Sequence, residues 1–190
     1  MKFLLVVVAL SLFFCAGSGA AQNKPDVSGM ERKLSHIESN ASAAHPDSTP
    51  AVFTEDEVNA YIAAGRLDLP AGVRSLRFQS EPSVVTAAMQ VDFDKLQEGR
   101  SSMNPLLSVF SGVHDVVVAA HAHGTGGFGY VQVDSVTLDG VEIPRFALQL
   151  FLEKFLQPKY PGVGVDSKFT LPDRIDTATV GLHTLTVVQK

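Results

Sequence analysis

The segment 144–157 limits the possible folds of this chain more than any other part of its sequence. Proline is favoured in the first turn of a helix and cannot continue one, so Pro144 and Pro158 predict a helix between them. The polar side chains of that helix form one narrow stripe at positions i, i+4 and i+8: Arg145, Gln149 and Glu153. The rest of its surface is apolar: Phe146, Ala147, Leu148, Leu150, Phe151, Leu152, Phe155 and Leu156.

A helix that packs against one sheet needs an apolar surface only about 100° wide. The excess apolar surface on this helix has to be covered by a second layer of the core, by another subunit, or by an apolar ligand. The sequence of the helix leaves these three possibilities open.

The segments before this helix are typical of β-strands. Apolar residues alternate with polar or small ones from 85 to 94, which predicts a half-buried strand with one face in water. Residues 116–120 are apolar at every position, and this pattern predicts a strand that is covered on both faces.

The next strand changes the phase of its apolar residues, from Val131 and Val133 to Val136 and Leu138. Such a change predicts a β-bulge and, with it, a strongly curved sheet. The Asp-Gly pair at 139–140 is typical of a hairpin turn. Strands that outnumber helices and are joined by tight turns predict an antiparallel α+β fold.

The amino-terminal residues predict a secretory signal peptide at 1–21. Lys2 precedes an apolar run at 3–15, and small residues then lead to a cleavage site after Ala20 or Ala21. The run is shorter than the about 20 apolar residues that span a membrane. We therefore expect an exported protein, periplasmic or secreted.

Cys15 leaves a lipoprotein anchor open as the alternative. The residues at 13 and 14 are phenylalanines, whereas lipid attachment favours a small residue just before the cysteine. Ordinary cleavage is therefore the preferred interpretation. It removes the one cysteine of the chain, so no disulfide is expected.

The remaining residues divide into a tether and one domain, as the length of 190 residues suggests. The segment 22–50 is rich in proline, serine, asparagine and alanine, which predicts a polar tether. A short helix within it stays an open alternative, because Met30, Leu34 and Ile37 would share one stripe. We expect a single domain at 51–190. It begins with a helix at 55–64, for which Thr54 and Glu57 in the sequence predict a capping box.

The formal net charge of −5 argues against a nucleic-acid partner. Binding to a phosphate backbone needs concentrated lysine and arginine, which this chain lacks. Association with a membrane surface and the oligomeric state stay open.

Three glycines, Gly124, Gly126 and Gly129, match the G-x-G-x-x-G pattern of dinucleotide-binding proteins. That site also needs a helix directly after the glycines, to bind the pyrophosphate. Here residues 130–138 are typical of a strand instead. The glycines therefore predict a hairpin, and no cofactor is expected.

His121 and His123 are the candidate metal ligands of this sequence. Two residues apart on a strand, their side chains lie on one face and about 7 Å apart. A zinc site needs at least one further protein ligand, and the spacing supplies none, although His183 from another strand stays open. We expect no metal site.

Asp92 and Asp94 resemble the paired carboxylates of a glycosidase, again about 7 Å apart. Because the opposite face of their strand is apolar, we expect both on the solvated side. The sequence has no G-x-S-x-G motif, and the cysteine leaves with the signal peptide. We therefore expect a protein without enzymatic activity.

Three stretches resemble secreted TULIP-like lipid-binding proteins, the group that includes the LmeA and YpmS types. They are 53–61 (FTEDEVNAY), 136–146 (VTLDGVEIPRF) and 169–175 (FTLPDRI). The resemblance implies a strongly curved antiparallel sheet wrapped around a long apolar helix, with a groove for acyl chains between them.

We therefore expect a lipid or another apolar molecule in a groove between the sheet and the helix at 144–157. Parity and helical spacing assign its lining to Phe146, Leu150, Phe151 and Phe155, with Val116 and Val118 opposite. The alternative is a structural or interaction protein, whose apolar helix surface binds a second copy or a protein partner.

Overall fold

Nine antiparallel strands form one sheet in the computed structural model of this protein, which describes residues 27–96, 110–158 and 162–190. The strands are β1 (Ala51–Thr54), β2 (Val73–Glu81), β3 (Val84–Asp92), β4 (Val113–Thr125), β5 (Phe128–Leu138), β6 (Val141–Glu142), β7 (Asp166–Thr170), β8 (Ile175–Gly181) and β9 (Thr184–Gln189). The helices are α1 (Val27–Ala41), α2 (Glu55–Ala63), α3 (Phe93–Leu96) and α4 (Arg145–Phe151). A π-helical turn, Leu152–Leu156, continues α4 and is called the π segment below. The α+β class predicted from the sequence is confirmed.

The long hairpin of β4 and β5 lies at the centre of the sheet. On one side β4 pairs first with β3 and then, at His123 and Gly124, with β8. On the other side β5 pairs with β7 near its start and with β6 at its end. The sheet therefore has two halves, β2-β3-β4-β5-β6 and β1-β9-β8-β4-β5-β7, which share the hairpin.

The glycine-rich motif forms the turn of this hairpin, as predicted. Gly126 and Gly127 have φ angles of +58° and +78°, in the region that favours glycine. Gly129 has the ring of Phe169 directly over its backbone, and a Cβ there would clash with that ring.

The phase change in β5 is a β-bulge, as predicted. Ala119 pairs with Ser135 and Ala120 pairs with Val133, so Asp134 is the extra residue. The strong curvature predicted from this bulge is wrong, because the sheet is not strongly curled. One bulge bends a strand locally. The helix that the sheet was expected to wrap is also short, since α4 has seven residues before it continues into the π segment.

The prediction that both faces of β4 are covered is also wrong. Val116, Val118 and Ala120 are buried beneath α4 or neighbouring core residues, whereas Val117, on the opposite face, is 38% exposed. The apolar residues Val117 and Ala119 are therefore no evidence that a second layer packs on this face. Valine favours strands because its branched side chain fits the pleated surface, even where one face meets water.

The capping box at the start of α2 is confirmed. The Thr54 hydroxyl accepts a hydrogen bond from the Glu57 amide, and the Glu57 carboxylate accepts one from the Thr54 amide at 2.9 Å. Lys33 of α1 donates to the same carboxylate at 2.7 Å, so α1 and α2 are joined at this point.

The polar tether expected at 22–50 is wrong for residues 27–41. They form α1, which packs onto the sheet. Its stripe of Met30, Leu34 and Ile37 is buried, in a cluster with residues of β1, β8 and β9. Gln189 at the carboxyl end donates to the Ile37 carbonyl at 2.8 Å. The helical spacing of three apolar residues thus outweighs the polar composition of the segment.

We predict that Ile37→Ala destabilises the protein by about 2–5 kcal/mol, because it removes a buried side chain and leaves a cavity. The matched control, Glu38→Ala on the exposed side of α1, should change stability by less than about 0.5 kcal/mol. Urea unfolding measures both values. Equal free energies of unfolding for the two variants would show that α1 is not part of the core.

Candidate functional site

A cavity of about 160 Å³ lies between the helix and the buried face of the central strands. Its wall includes residues of β3, β4 and β5 on one side and residues of α4 and the π segment on the other. Among the described lining residues, Ser167 has the one polar side chain. Its hydroxyl accepts from the Gly164 amide and donates to the Gly164 carbonyl, so its polar groups are used locally. The cavity is therefore apolar.

Four phenylalanines form a continuous cluster at the cavity. Phe110 stacks on Phe151 with ring centroids 4.4 Å apart, and Phe93 meets Phe151 edge-on at 5.5 Å. Phe155 extends the cluster, 5.3 Å from Phe151. Offset and edge-on rings attract each other, so this wall holds its shape.

The π segment shapes the helical side of the cavity. The Gln157 amide donates to the Leu152 carbonyl at 2.8 Å, a bond across five residues instead of four. This wider turn carries Leu152 and Leu156, and both side chains line the cavity beside Phe151. π-helical turns are rare and often mark functional sites. The sequence contains no signal that predicted this one.

The structure brings together part of the predicted lining. Val116, Val118 and Phe151 line the cavity, and Phe155 is buried in the same core cluster. Leu150 is partly buried and packs against that cluster.

Phe146 lies away from the cavity and is 58% exposed. It follows Arg145 and precedes Gln149 by three positions, so helical geometry places it beside the polar stripe. Sequence reasoning also missed most of the other described lining residues, among them Phe93 and Phe110. The alternation at 85–94 contained a signal for Phe93, since it shares the buried parity of Val91.

The candidate metal ligands lie on the open face of the sheet. His121 contacts the carboxylate of Asp134, the bulge residue, at 2.7 Å, and His123 stacks on Tyr130. His183 pairs with Glu55 instead of approaching them. In the part of the chain that the structure describes, no three histidine, cysteine or acidic side chains group together as metal ligands do.

The prediction that Asp92 and Asp94 both lie on the solvated side is wrong for Asp92. It is buried, binds Arg74 at 2.8 Å and accepts from the Lys95 amide, where α3 begins. The hydrogen bond from Arg74 is the main reason that the pKa of Asp92 lies below its usual value. The strand ends at this residue, so the alternation no longer applies. Asp94 instead accepts from the Gly112 amide.

His114 joins two segments next to the aromatic wall. Its Nδ1 lies 2.6 Å from the Asp139 carboxylate, and its Nε2 lies 2.6 Å from the carbonyl of Ser111, which follows Phe110. Both partners are acceptors, so the arrangement requires both ring nitrogens to carry protons. The hydrogen bond to Asp139 raises the pKa of His114 above its usual value of 6.5.

No protein-family model, curated protein or solved structure matches this chain. The TULIP-like resemblance of the sequence therefore stays a prediction. Within the described residues, no helix combines the length and the apolar character needed to cross a membrane. The expected signal peptide at 1–21, with Cys15, lies outside those residues.

We predict that the stabilisation supplied by His114 depends on pH. A histidine whose pKa is raised by folding contributes fully below its unfolded pKa, about 6.5, and loses that contribution as pH rises through the folded pKa. His114→Gln should therefore destabilise the protein more at about pH 5.5 than at about pH 9. Urea unfolding at both pH values measures this difference. His36→Gln on α1 is the control, and an equal pH effect in both variants would contradict the assignment.

Proposed function

We propose that this protein is an exported, non-enzymatic binding protein that holds an apolar molecule in the cavity beneath α4. The observation that carries the proposal is the apolar cavity of about 160 Å³ between the helix and the central strands. Protein interiors rarely keep voids larger than a water molecule. Apolar surface that the core leaves uncovered destabilises a fold. A bound apolar molecule removes that cost.

The volume of the cavity limits what it can hold. A protein cavity of about 150 Å³ stays dry and accepts benzene, so this one accepts about six carbon atoms. Six buried CH₂ groups contribute about 5 kcal/mol, which alone supports a Kd of about 0.2 mM. The site therefore suits a short hydrocarbon group and is too small for the whole acyl chains of a membrane lipid.

The proposal keeps one implication of the TULIP-like resemblance and replaces another. It keeps the apolar ligand beside the helix at 144–157. It replaces the groove of a wrapped sheet by a smaller cavity between α4, the π segment and one face of the central strands. The aromatic cluster supports this choice, because it fixes one wall of the cavity without depending on strong curvature.

We predict that Val118→Phe abolishes benzene binding, because the added ring occupies the cavity. The matched control is Val117→Phe on the same strand, whose side chain lies on the exposed face. Titration with benzene, followed by amide chemical shifts, should move signals around Val118 and Phe151 in the wild type and in the control. The same titration should move none of these signals in Val118→Phe.

Two results would reject this function. One is a wild-type protein whose cavity signals do not respond to millimolar benzene. The other is a Val118→Phe variant that is folded and still binds with unchanged affinity. The thermal midpoint of Val118→Phe distinguishes loss of the cavity from loss of the fold, since filling a true void should not lower it.

Phe146 favours a second function, the binding of another copy or of a protein partner through the outer surface of α4. Its ring is 58% exposed, and Leu150, one turn further, is only partly buried. We predict that Phe146→Ser lowers the mass measured by light scattering at high protein concentration, without changing the thermal midpoint. A wild-type protein that is monomeric at every concentration would reject self-association.

A further inference from the structure

A polar cleft of about 310 Å³ adjoins the apolar cavity. Its polar side chains are Arg145, Gln149, Gln157 and Asp166. Leu152 and Gly164 line both the cleft and the cavity, so the two spaces meet at these residues. Gly164 has no side chain to separate them. Leu152 is the first residue of the π segment, which places the unusual helical turn at the junction.

The charge in the cleft is balanced. Arg145 donates to the Asp166 carboxylate at 2.8 Å, so the one positive and the one negative side chain among the described lining residues form a direct ion pair. Gln149 and Gln157 add uncharged amides, and their Nε2 atoms already donate to Glu153 and to the Val163 carbonyl. Their amide oxygens remain as acceptors of further hydrogen bonds.

This set of groups discriminates between kinds of polar head. A carboxylate or phosphate approaching Arg145 also meets the negative charge of Asp166, and an ammonium approaching Asp166 meets Arg145. A hydroxyl can donate to Asp166 or to an amide oxygen and accept from Arg145, without an uncompensated charge. The cleft therefore favours an uncharged head with hydroxyl groups.

The Arg145–Asp166 pair contributes little to the fold itself. Its side chains are 53% and 61% exposed, and ion pairs in such positions are weak because water screens them. A ligand can therefore share these groups without disrupting the core. The polar stripe of the helix then includes two residues of a binding site, Arg145 and Gln149.

We propose that the natural ligand is an uncharged amphiphile, with a tail of about six carbons in the cavity and a hydroxyl-bearing head in the cleft beside the Arg145–Asp166 pair. This inference rests on the proposed function, because the tail occupies the same cavity. It adds the chemistry of the head, which the apolar cavity does not determine.

Calorimetric titration of the full protein with three probes tests the inference. Monohexanoylglycerol has an uncharged hydroxyl head, hexanoate has an anionic head on the same tail, and benzene has no head. One or two net hydrogen bonds to the head correspond to about tenfold in affinity. We expect monohexanoylglycerol to bind about tenfold more tightly than either of the other probes.

The variant Arg145→Met should remove the preference over benzene and leave benzene affinity unchanged. The preference over hexanoate should remain, because Asp166 then repels the carboxylate without a compensating positive charge. The control is Lys154→Met, on the exposed side of the π segment and outside the cleft, which should keep both preferences. Failure of all three probes to bind the wild type would reject the proposed function together with the inference. If benzene binds and all three probes have equal affinity, the inference alone is overturned. The same holds if hexanoate binds more tightly than monohexanoylglycerol.

Discussion

The pairing of β4 with β5 is the interaction on which the rest of this structure depends. Each remaining strand joins the sheet through that hairpin, directly or through a neighbour, within the described residues. The bulge at Asp134 is the critical detail of the pairing. Beyond it, Val136 and Leu138 face the core instead of Ser135 and Thr137. Without this shift, two polar side chains would face α4, and the apolar cavity would lose one wall.

The cavity reflects a balance between packing and available space. The stacked rings of Phe110 and Phe151 fill one end of the core tightly, while the neighbouring volume stays free. The π segment is consistent with that division, because its wider turn spreads Leu152 and Leu156 along the wall. Close packing stabilises a core, so a natural core with such a void requires an explanation. The ligand that we propose supplies one.

The histidines show that residue type alone, without geometry, does not predict a metal site. His114, His121 and His183 each bind a carboxylate, on Asp139, Asp134 and Glu55. Two of those partners occupy special backbone positions of the hairpin region, a bulge and a turn with positive φ. In this structure His114 and His121 bind carboxylates at the carboxyl end and at the bulge of β5, and His183 links the turn between β8 and β9 to the start of α2.

Local patterns in the sequence determined much of the fold. The capping box at Thr54, the bulge in β5 and the glycine hairpin all follow from interactions between residues close in the chain, whereas the stripe of α1 is buried by distant strands. Coverage and empty volume depend on distant residues, and only the tertiary structure decided them. It exposed Val117, buried Asp92 against Arg74, and left the sheet without strong curvature. It also joined Val118, Phe110 and Leu152, from three separate segments, around one cavity. Periodicity records which face of an element is apolar, but the space between two such faces is set by how they pack.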